Sequence, residues 1–332
     1  MHLFLLDILQ CPACRGLLQW QIARQSGDRI QEAEARCTTC GATYPTWDGI
    51  GVFLPPDLPR NDLWEQMGSA LATYVCEHPD VDRQLMQSPL QSLSPADRFF
   101  RALVLDERGD YDQAKAIAEV TLPLLYTPEY LACHETQRAW VIERVRAAEG
   151  PVVDLASGHC QLVEQMARIL DHPVVATDFS IRVLRRNRRW LEHFGLYSRV
   201  SLLGMDARRM PFKDGSIPTM TTNLGLPNID QPGELLTELR RVVSGEFLAI
   251  THFYPEDDET NLALLRELGL APLLVRRTAL EMFAAGGWRV GIANSQSGRA
   301  VPTPISHLLE GAQIDGLPLA ETTLEWCVLA AR

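Results

Sequence analysis

Two stretches hold residues whose types and spacing can do chemistry. Cys11 and Cys14 form one C-x-x-C pair and Cys37 and Cys40 a second, with 22 residues between the pairs. Four thiolates gathered this way make a tetrahedral set. That set suits zinc, and with four protein ligands and no open position the ion would be structural. An iron site is a second reading of the same donors, and a redox-active dithiol a third. Gly16 and Gly41 directly after the pairs suit the tight turns such a site needs.

The second stretch is "VVDLASGHC" at 152–160. It reads as a strand ending on Asp154, a bend of small residues Ala156, Ser157 and Gly158, and the start of a helix. Small residues let a backbone approach a ligand closely. Asp178 ends the next predicted strand, 20 residues after Gly158, where a doubly wound fold offers a carboxylate to ribose hydroxyls. A dinucleotide site wants G-x-G-x-x-G, which is absent. A P-loop wants Lys-Ser/Thr after its glycines, also absent. A carboxylate before the bend repels a pyrophosphate and suits a cation, so an adenosine compound carrying a sulfonium fits best. Beyond the fourth and fifth predicted strands, Asn223 and Asn228 can orient an acceptor. His252, followed by Tyr254, can take a proton, although a structural histidine is the plainer reading.

These residues need elements to hold them. Residues 1–54 read as a ribbon-like unit, and "LPPDLPR" at 54–60 as a linker. Residues 55–149 read as linker and helices, with breaks at Pro79, Pro89, Pro95 and Pro123, and as a lid that Tyr111, Tyr126 and Tyr130 can line. From 150 to 332, short apolar runs alternate with amphipathic helices. That alternation predicts an α/β, Rossmann-like, seven-stranded doubly wound sheet. The helix "IRVLRRNRRWLEHF" carries Arg182, Arg185, Arg186 and Arg189 on one side. They can bind RNA phosphates or simply face solvent.

Composition bounds the partners. A net charge of −11 over 332 residues works against non-specific binding to phosphate backbones. No apolar run approaches the roughly 20 residues of a membrane span. The N-terminus lacks the basic start of a signal peptide, so a cytoplasmic location is expected. Eight cysteines, four of them in metal-spaced pairs, argue against a secreted disulfide scaffold.

Two resemblances sharpen this reading. Leu6, Leu9, Cys11, Pro12, Cys14, Gly16 and Leu18, then Cys37, Cys40, Gly41, Tyr44, Pro45, Asp48, Gly49 and Ile50, resemble the small zinc-ribbon proteins that activate methyltransferases acting on tRNA, rRNA and release factors. Gly51 stands where that family usually has proline. Residues 150–331 resemble class I S-adenosylmethionine (SAM)-dependent methyltransferases through "VVDLASGHC", "VVATDFSIRVL" and "GMDARRMPFKDGSI", with Ala156 and Cys160 in place of two motif glycines. The resemblance implies zinc on Cys11, Cys14, Cys37 and Cys40. It implies SAM held by Asp154, Ala156, Ser157, Gly158, Asp178, Phe179, Asp206, Ala207 and Asn223. Asp178 is expected at the ribose and Asp206 at the adenine amine. Catalytic candidates are His252, Asn223 and Tyr254. The favoured acceptor is a small molecule, with RNA or protein as other substrates and no membrane partner. The N-P-P-Y motif of methyltransferases acting on amide or exocyclic amine nitrogen is absent. Alternative readings are an rRNA or tRNA methyltransferase, or a degenerate binding module in which the Cys160 side chain crowds the methionine end of the cofactor.

Overall fold

The runs "VVDLA", "PVVAT" and "RVSLLGM" are near-continuous apolar stretches, the signature of parallel strands covered on both faces. Strands of the first 54 residues mix polar and apolar positions. Both kinds join one sheet. The structure, a computed structural model, describes residues 1–55, 57 and 63–332; most of the predicted proline-rich linker lies outside the described residues. The strands are β1 (Leu18–Ser26), β2 (Arg29–Cys37), β3 (Thr43–Trp47), β4 (Ile50–Phe53), β5 (Val152–Asp154), β6 (Val174–Asp178), β7 (Val200–Met205), β8 (Ile217–Asn223), β9 (Val243–Phe253), β10 (Val290–Ala300) and β11 (Thr322–Ala331).

The strand order is β1-β2-β3-β4-β7-β6-β5-β8-β9-β11-β10. Strands β7, β6, β5, β8 and β9 are parallel, and β11 runs antiparallel to both β9 and β10. These seven make the predicted doubly wound core. The chain reverses direction across the sheet between β5 and β8, and such a switch point opens a crevice at the carboxyl ends of the strands.

The expected count of seven strands is corrected to eleven. The β1–β4 meander continues the same sheet, because β4 pairs in parallel with β7, Ile50 opposite Leu202 through Phe53 opposite Met205. An uncovered β7 would leave a row of unpaired backbone groups at the sheet edge. Gly51 now has a reason. A Cβ there would sit 2.8 Å from the Leu203 side chain, and a proline in a strand paired on both sides would delete a ladder hydrogen bond.

The seam is extensive. Met1, Leu5, Leu9 and Phe53 share one buried cluster with Leu203, Met205 and Phe212. Gln10 N–H donates to Pro211 O at 2.7 Å and Lys213 N–H to Ile8 O at 2.8 Å. His2 N–H donates to Ser201 Oγ at 3.0 Å. Residues 1–54 therefore have no core apart from that of the large sheet.

The middle segment is helical, as expected: Leu63–Glu77, Pro79–Gln87, Pro95–Arg108, Tyr111–Leu125 and Pro128–Arg146. Ser94, Asp110 and Thr127 each accept from the backbone N–H three residues on, as N-caps do. Pro123 is a correction. It lies inside the helix Tyr111–Leu125, within its last turn, and the helix runs through it. The segment is pinned at two places. Asp97 accepts from Ser306 Oγ and from the His307 and Leu308 N–H groups in the β10–β11 connection. Glu107 and Asp106 pair with Arg182 (3.3 Å) and Arg186 (3.5 Å) of the helix Ile181–His193. Two of the four arginines considered for RNA thus face the helical segment.

Candidate functional site

The bend after β5 is built by its backbone. Ala156, Gly158 and Cys160 all have left-handed φ values, 51°, 47° and 57°. The two positions where the resemblance expects glycine are thus ones where glycine is conformationally favoured, and Ala156 and Cys160 carry the strain. Ser157 N–H donates to Thr177 O at 2.8 Å, and Ser157 Oγ to Asp154 O at 3.1 Å. Gly158 N–H donates to Asp178 Oδ2 at 3.0 Å, while Gly158 O accepts from Asn187 Nδ2 at 2.8 Å. The bend and the carboxylate at the end of β6 are thereby held in direct contact. Phe179, half-buried, follows that carboxylate.

Asp154 is 1 % exposed and accepts from Thr221 Oγ1 at 2.7 Å. Burial pushes its carboxyl up to about 7, against the hydrogen bond from Thr221. A cation beside it would favour the ionised form. Cys160 does not stand out in the bend. It is 1 % exposed and packs in the apolar cluster with Cys133, Val141, Val163 and Trp326, where burial raises its thiol well above the usual range.

Asp206 ends up differently from the expectation of an open acceptor. Arg208 grips it with both ends of its guanidinium, Nε to Oδ1 at 2.9 Å and Nη2 to Oδ2 at 2.7 Å, and its N–H adds a third bond at 2.8 Å. Both partners are buried. Ala207 is half-buried beside them. Sequence spacing gives no sign of this pairing, because an i, i+2 contact in a loop has no periodic signature.

The acceptor candidates do come together. Asn223 ends β8, and its Oδ1 lies 2.9 Å from His134 Nε2 on the helix Pro128–Arg146. On β9, His252 stands opposite Trp326 of β11, with ring centroids 4.9 Å apart. Tyr254 lies 5.7 Å from His252. Tyr126 and Tyr130 stack at 4.8 Å, and Tyr130 meets Trp326 edge-on at 4.8 Å. Burial lowers both His134 and His252 to about 4, so both are neutral near pH 7. Tyr111 is elsewhere, against Trp190 and His193. Asn228 is exposed. His134, Trp326 and Asp315, which accepts from Tyr126 Oη at 2.6 Å, were not legible as site residues. They come from the helical segment and from the end of the chain.

The four cysteines meet at the other end of the chain. Their sulfurs all lie within 4.8 Å of one another, with Cys11–Cys40 at 3.6 Å and Cys14–Cys37 at 3.4 Å. Zinc–sulfur bonds of about 2.3 Å in a tetrahedron require sulfurs about 3.8 Å apart. The cluster therefore fits a tetrahedral metal ion. The Thr39 and Cys40 N–H groups point at Cys37 Sγ, at 3.4 and 3.5 Å.

Known proteins share sequence with part of this chain. Residues 152–245 match the family described as methyltransferase domain. Among curated proteins, the chain is 32 % identical over 155 residues to a demethylmenaquinone methyltransferase of Renibacterium salmoninarum, covering 45 % of this chain and 61 % of that one. It is 26 % identical over 111 residues to the ubiquinone/menaquinone biosynthesis C-methyltransferase UbiE of Pseudoalteromonas translucida, covering 32 % and 44 %. The chain thus spans less than two thirds of these relatives. Among solved structures, it resembles the YcgJ protein of Bacillus subtilis at 16 % identity, covering 60 % of this chain and 98 % of that one with a TM-score of 0.47. Geranyl diphosphate C-methyltransferase of Streptomyces coelicolor A3(2) matches at 14 %, covering 59 % and 75 %, with a TM-score of 0.42. Among the described residues, no helix is long and apolar enough to cross a membrane.

Proposed function

We propose that the chain is a SAM-dependent methyltransferase acting on a small-molecule acceptor, with a zinc ribbon built into its catalytic sheet. The observation that carries this reading is the bend 154–158, hydrogen-bonded to Asp178 and backed by the buried Asp154 at the carboxyl edge of the switch point. When bound there, SAM supplies a methyl carbon activated by a sulfonium. Asp154 would meet the cationic methionine end across the bend, and Asp178 and Phe179 the ribose. Asp206 would reach the adenine amine while sharing its oxygens with Arg208. A carboxylate has about four lone-pair sites, and Arg208 fills three.

In this reading residues 150–332 form the methyltransferase domain, residues 55–149 its lid and residues 1–54 the ribbon, with zinc on Cys11, Cys14, Cys37 and Cys40. Asn223, His252 and Tyr254 face the acceptor. Much of the acceleration in an in-line methyl transfer comes from holding the reacting atoms in line; the helix Pro128–Arg146, through His134, would help by fixing Asn223. The curated relatives' names, which refer to menaquinone and ubiquinone biosynthesis, support a small-molecule acceptor. The ion pairs of Arg182 and Arg186 with the helical segment weigh against an RNA face. The burial of Cys160 in the apolar cluster weighs against a degenerate site. Isothermal titration with SAM and with S-adenosylhomocysteine tests the reading. Micromolar binding is expected, and no heat at millimolar ligand refutes it.

A further inference from the structure

The sheet has two borders, β1 and β10. The β10 border is blunted. It contains Gly291 and Gly298, a register break between Ala293 and Gln296, and Arg299 paired with Glu321 at 2.7 Å, all features that discourage a further strand. On β1 the register breaks only after Ile22, and the first charge is Arg24. The five residues before that, "LQWQI" at 18–22, hold no charge, proline or glycine. No described strand lies on their outer side, and Leu17 and Ile22 are 67 % and 39 % exposed. An edge of this kind is a template for another strand. Its free groups can be assigned. Thr38 N–H donates to Leu17 O at 3.0 Å, in the register that sets Leu18 opposite Cys37. Hydrogen-bonded pairs alternate along an antiparallel ladder. Gln19 and Gln21 therefore turn their backbone N–H and C=O toward β2, and Leu18, Trp20 and Ile22 turn theirs outward.

This stretch reads nearly the same in both directions. Turned about a two-fold axis through Trp20, an antiparallel copy sets Leu18 opposite Ile22, Gln19 opposite Gln21 and Trp20 opposite Trp20. Outward backbone groups then meet outward backbone groups. Three pairs result, each exchanging two N–H···O bonds, about six bonds in all. The side chains match as well, aliphatic on aliphatic along one face and amide on amide along the other. The flanking charges also match. Within the chain Arg36 lies opposite Gln19, and Glu34 opposite Gln21. Each amide row therefore ends in Arg36 of one copy and Glu34 of the other. Two chains of net charge −11 repel each other overall, and this uncharged strip between opposite charges is where they can meet.

We infer that the outer edge of β1 is a dimer interface, and that its occupant is a second copy of this chain paired antiparallel about a two-fold axis at Trp20. A two-fold contact requires a surface complementary to itself, which the near-palindrome supplies. The pairing joins two sheets into one. It leaves the cofactor crevice open, because β1 stands six strand positions from β5, about 29 Å at 4.8 Å per strand. The inference is independent of the methyltransferase reading.

The test is sedimentation equilibrium of the full chain over roughly 5 to 200 µM, a range suited to the small interface of a single strand edge. A reversible monomer–dimer equilibrium is expected. Ile22→Pro removes an outward N–H and no bond to β2, and should weaken dimerisation at least 10-fold. Gln19→Lys with Gln21→Lys sets like charges opposite each other twice and should weaken it by a similar factor. Gln19→Glu with Gln21→Lys sets Glu opposite Lys twice and should dimerise at least as tightly as the parent. An unchanged thermal midpoint in the two double variants controls for folding, since both positions are exposed. A monomer at every concentration, a dimer indifferent to all three variants, or equal weakening by the two double variants overturns the inference. The first of these outcomes would leave the β1 edge to a strand of a different protein.

Discussion

Asp154→Asn separates the cost of the buried carboxylate from its use. In the folded protein the Asp154 carboxyl titrates at about 7, raised by burial from 3.8. Below about pH 3.8 the folded and unfolded chains both hold the proton, and burial exacts no ionisation penalty. Between about 4 and 7 the folded chain binds more protons than the unfolded one, so this group's contribution to stability falls as pH rises. Above 7 the penalty levels off at about 4 kcal/mol. Asparagine is neutral throughout. It keeps an oxygen to accept from Thr221 Oγ1, and the Ser157 hydroxyl beside it can accept from the new amide. The variant's advantage should be about 1.7 kcal/mol at pH 5, grow by up to about 1.4 kcal/mol per pH unit, and approach about 4 kcal/mol by pH 8. SAM affinity should fall at least 10-fold, because the cationic end of the ligand loses its counter-charge. Urea unfolding of both proteins at several pH values between 5 and 8.5 measures the difference, in which other titrating groups cancel. A variant less stable than the parent at pH 8, or a difference that stays flat with pH, would refute the reasoning.

Three further outcomes follow from the same structure. Chelation of the metal, or Cys37→Ser, should lower the thermal midpoint by 10 °C or more, given binding free energies of about 10 to 16 kcal/mol at such sites; elemental analysis should find about one metal per chain. Leu9→Ala should cost about 2–5 kcal/mol, since Leu9 is 2 % exposed and bridges to Phe212, and calorimetry should still show one transition, whereas separate ribbon and catalytic transitions would contradict the shared core. Gly225→Ala places a methyl 2.9 Å from Ala156 Cβ and 2.5 Å from Thr222 Oγ1; it should displace the bend and weaken S-adenosylhomocysteine binding several-fold in titration, with a loss of stability of about 1–3 kcal/mol.

The parts readable from sequence were those whose cause is local. The strand–bend–helix at 152–163 announces itself by apolar run, small residues and amphipathic helix, and Asp178 by its distance from them. The cysteine pairs carry their geometry in their spacing. The joining of β4 to β7 has no such signal: "IGVF" at 50–53 suits any buried strand, and a choice of edge is made by the whole sheet. Only Gly51 hinted at it, and its meaning needed Leu203 in view. The acceptor end was half legible. His252 and Asn223 lie in the last residues of β9 and β8 and were reachable by pattern. His134 and Trp326 reach the site through helix packing and cross-strand register, which a one-dimensional reading does not contain. Pro123 was misread as a break, although the helix continues only through Leu124 and Leu125 beyond it.

The pairing of Ile50 with Leu202 also sets a schedule for synthesis. The two residues are 202 − 50 = 152 positions apart, and a ribosome adding about 5–20 residues per second separates them by about 8 to 30 s. Throughout that interval the β4 border of the newly made meander lacks the β7 strand that covers it in the folded chain. A metal captured early by the four thiols would keep those first fifty residues in register while they wait, a kinetic duty that the proposed zinc site would add to its thermodynamic one.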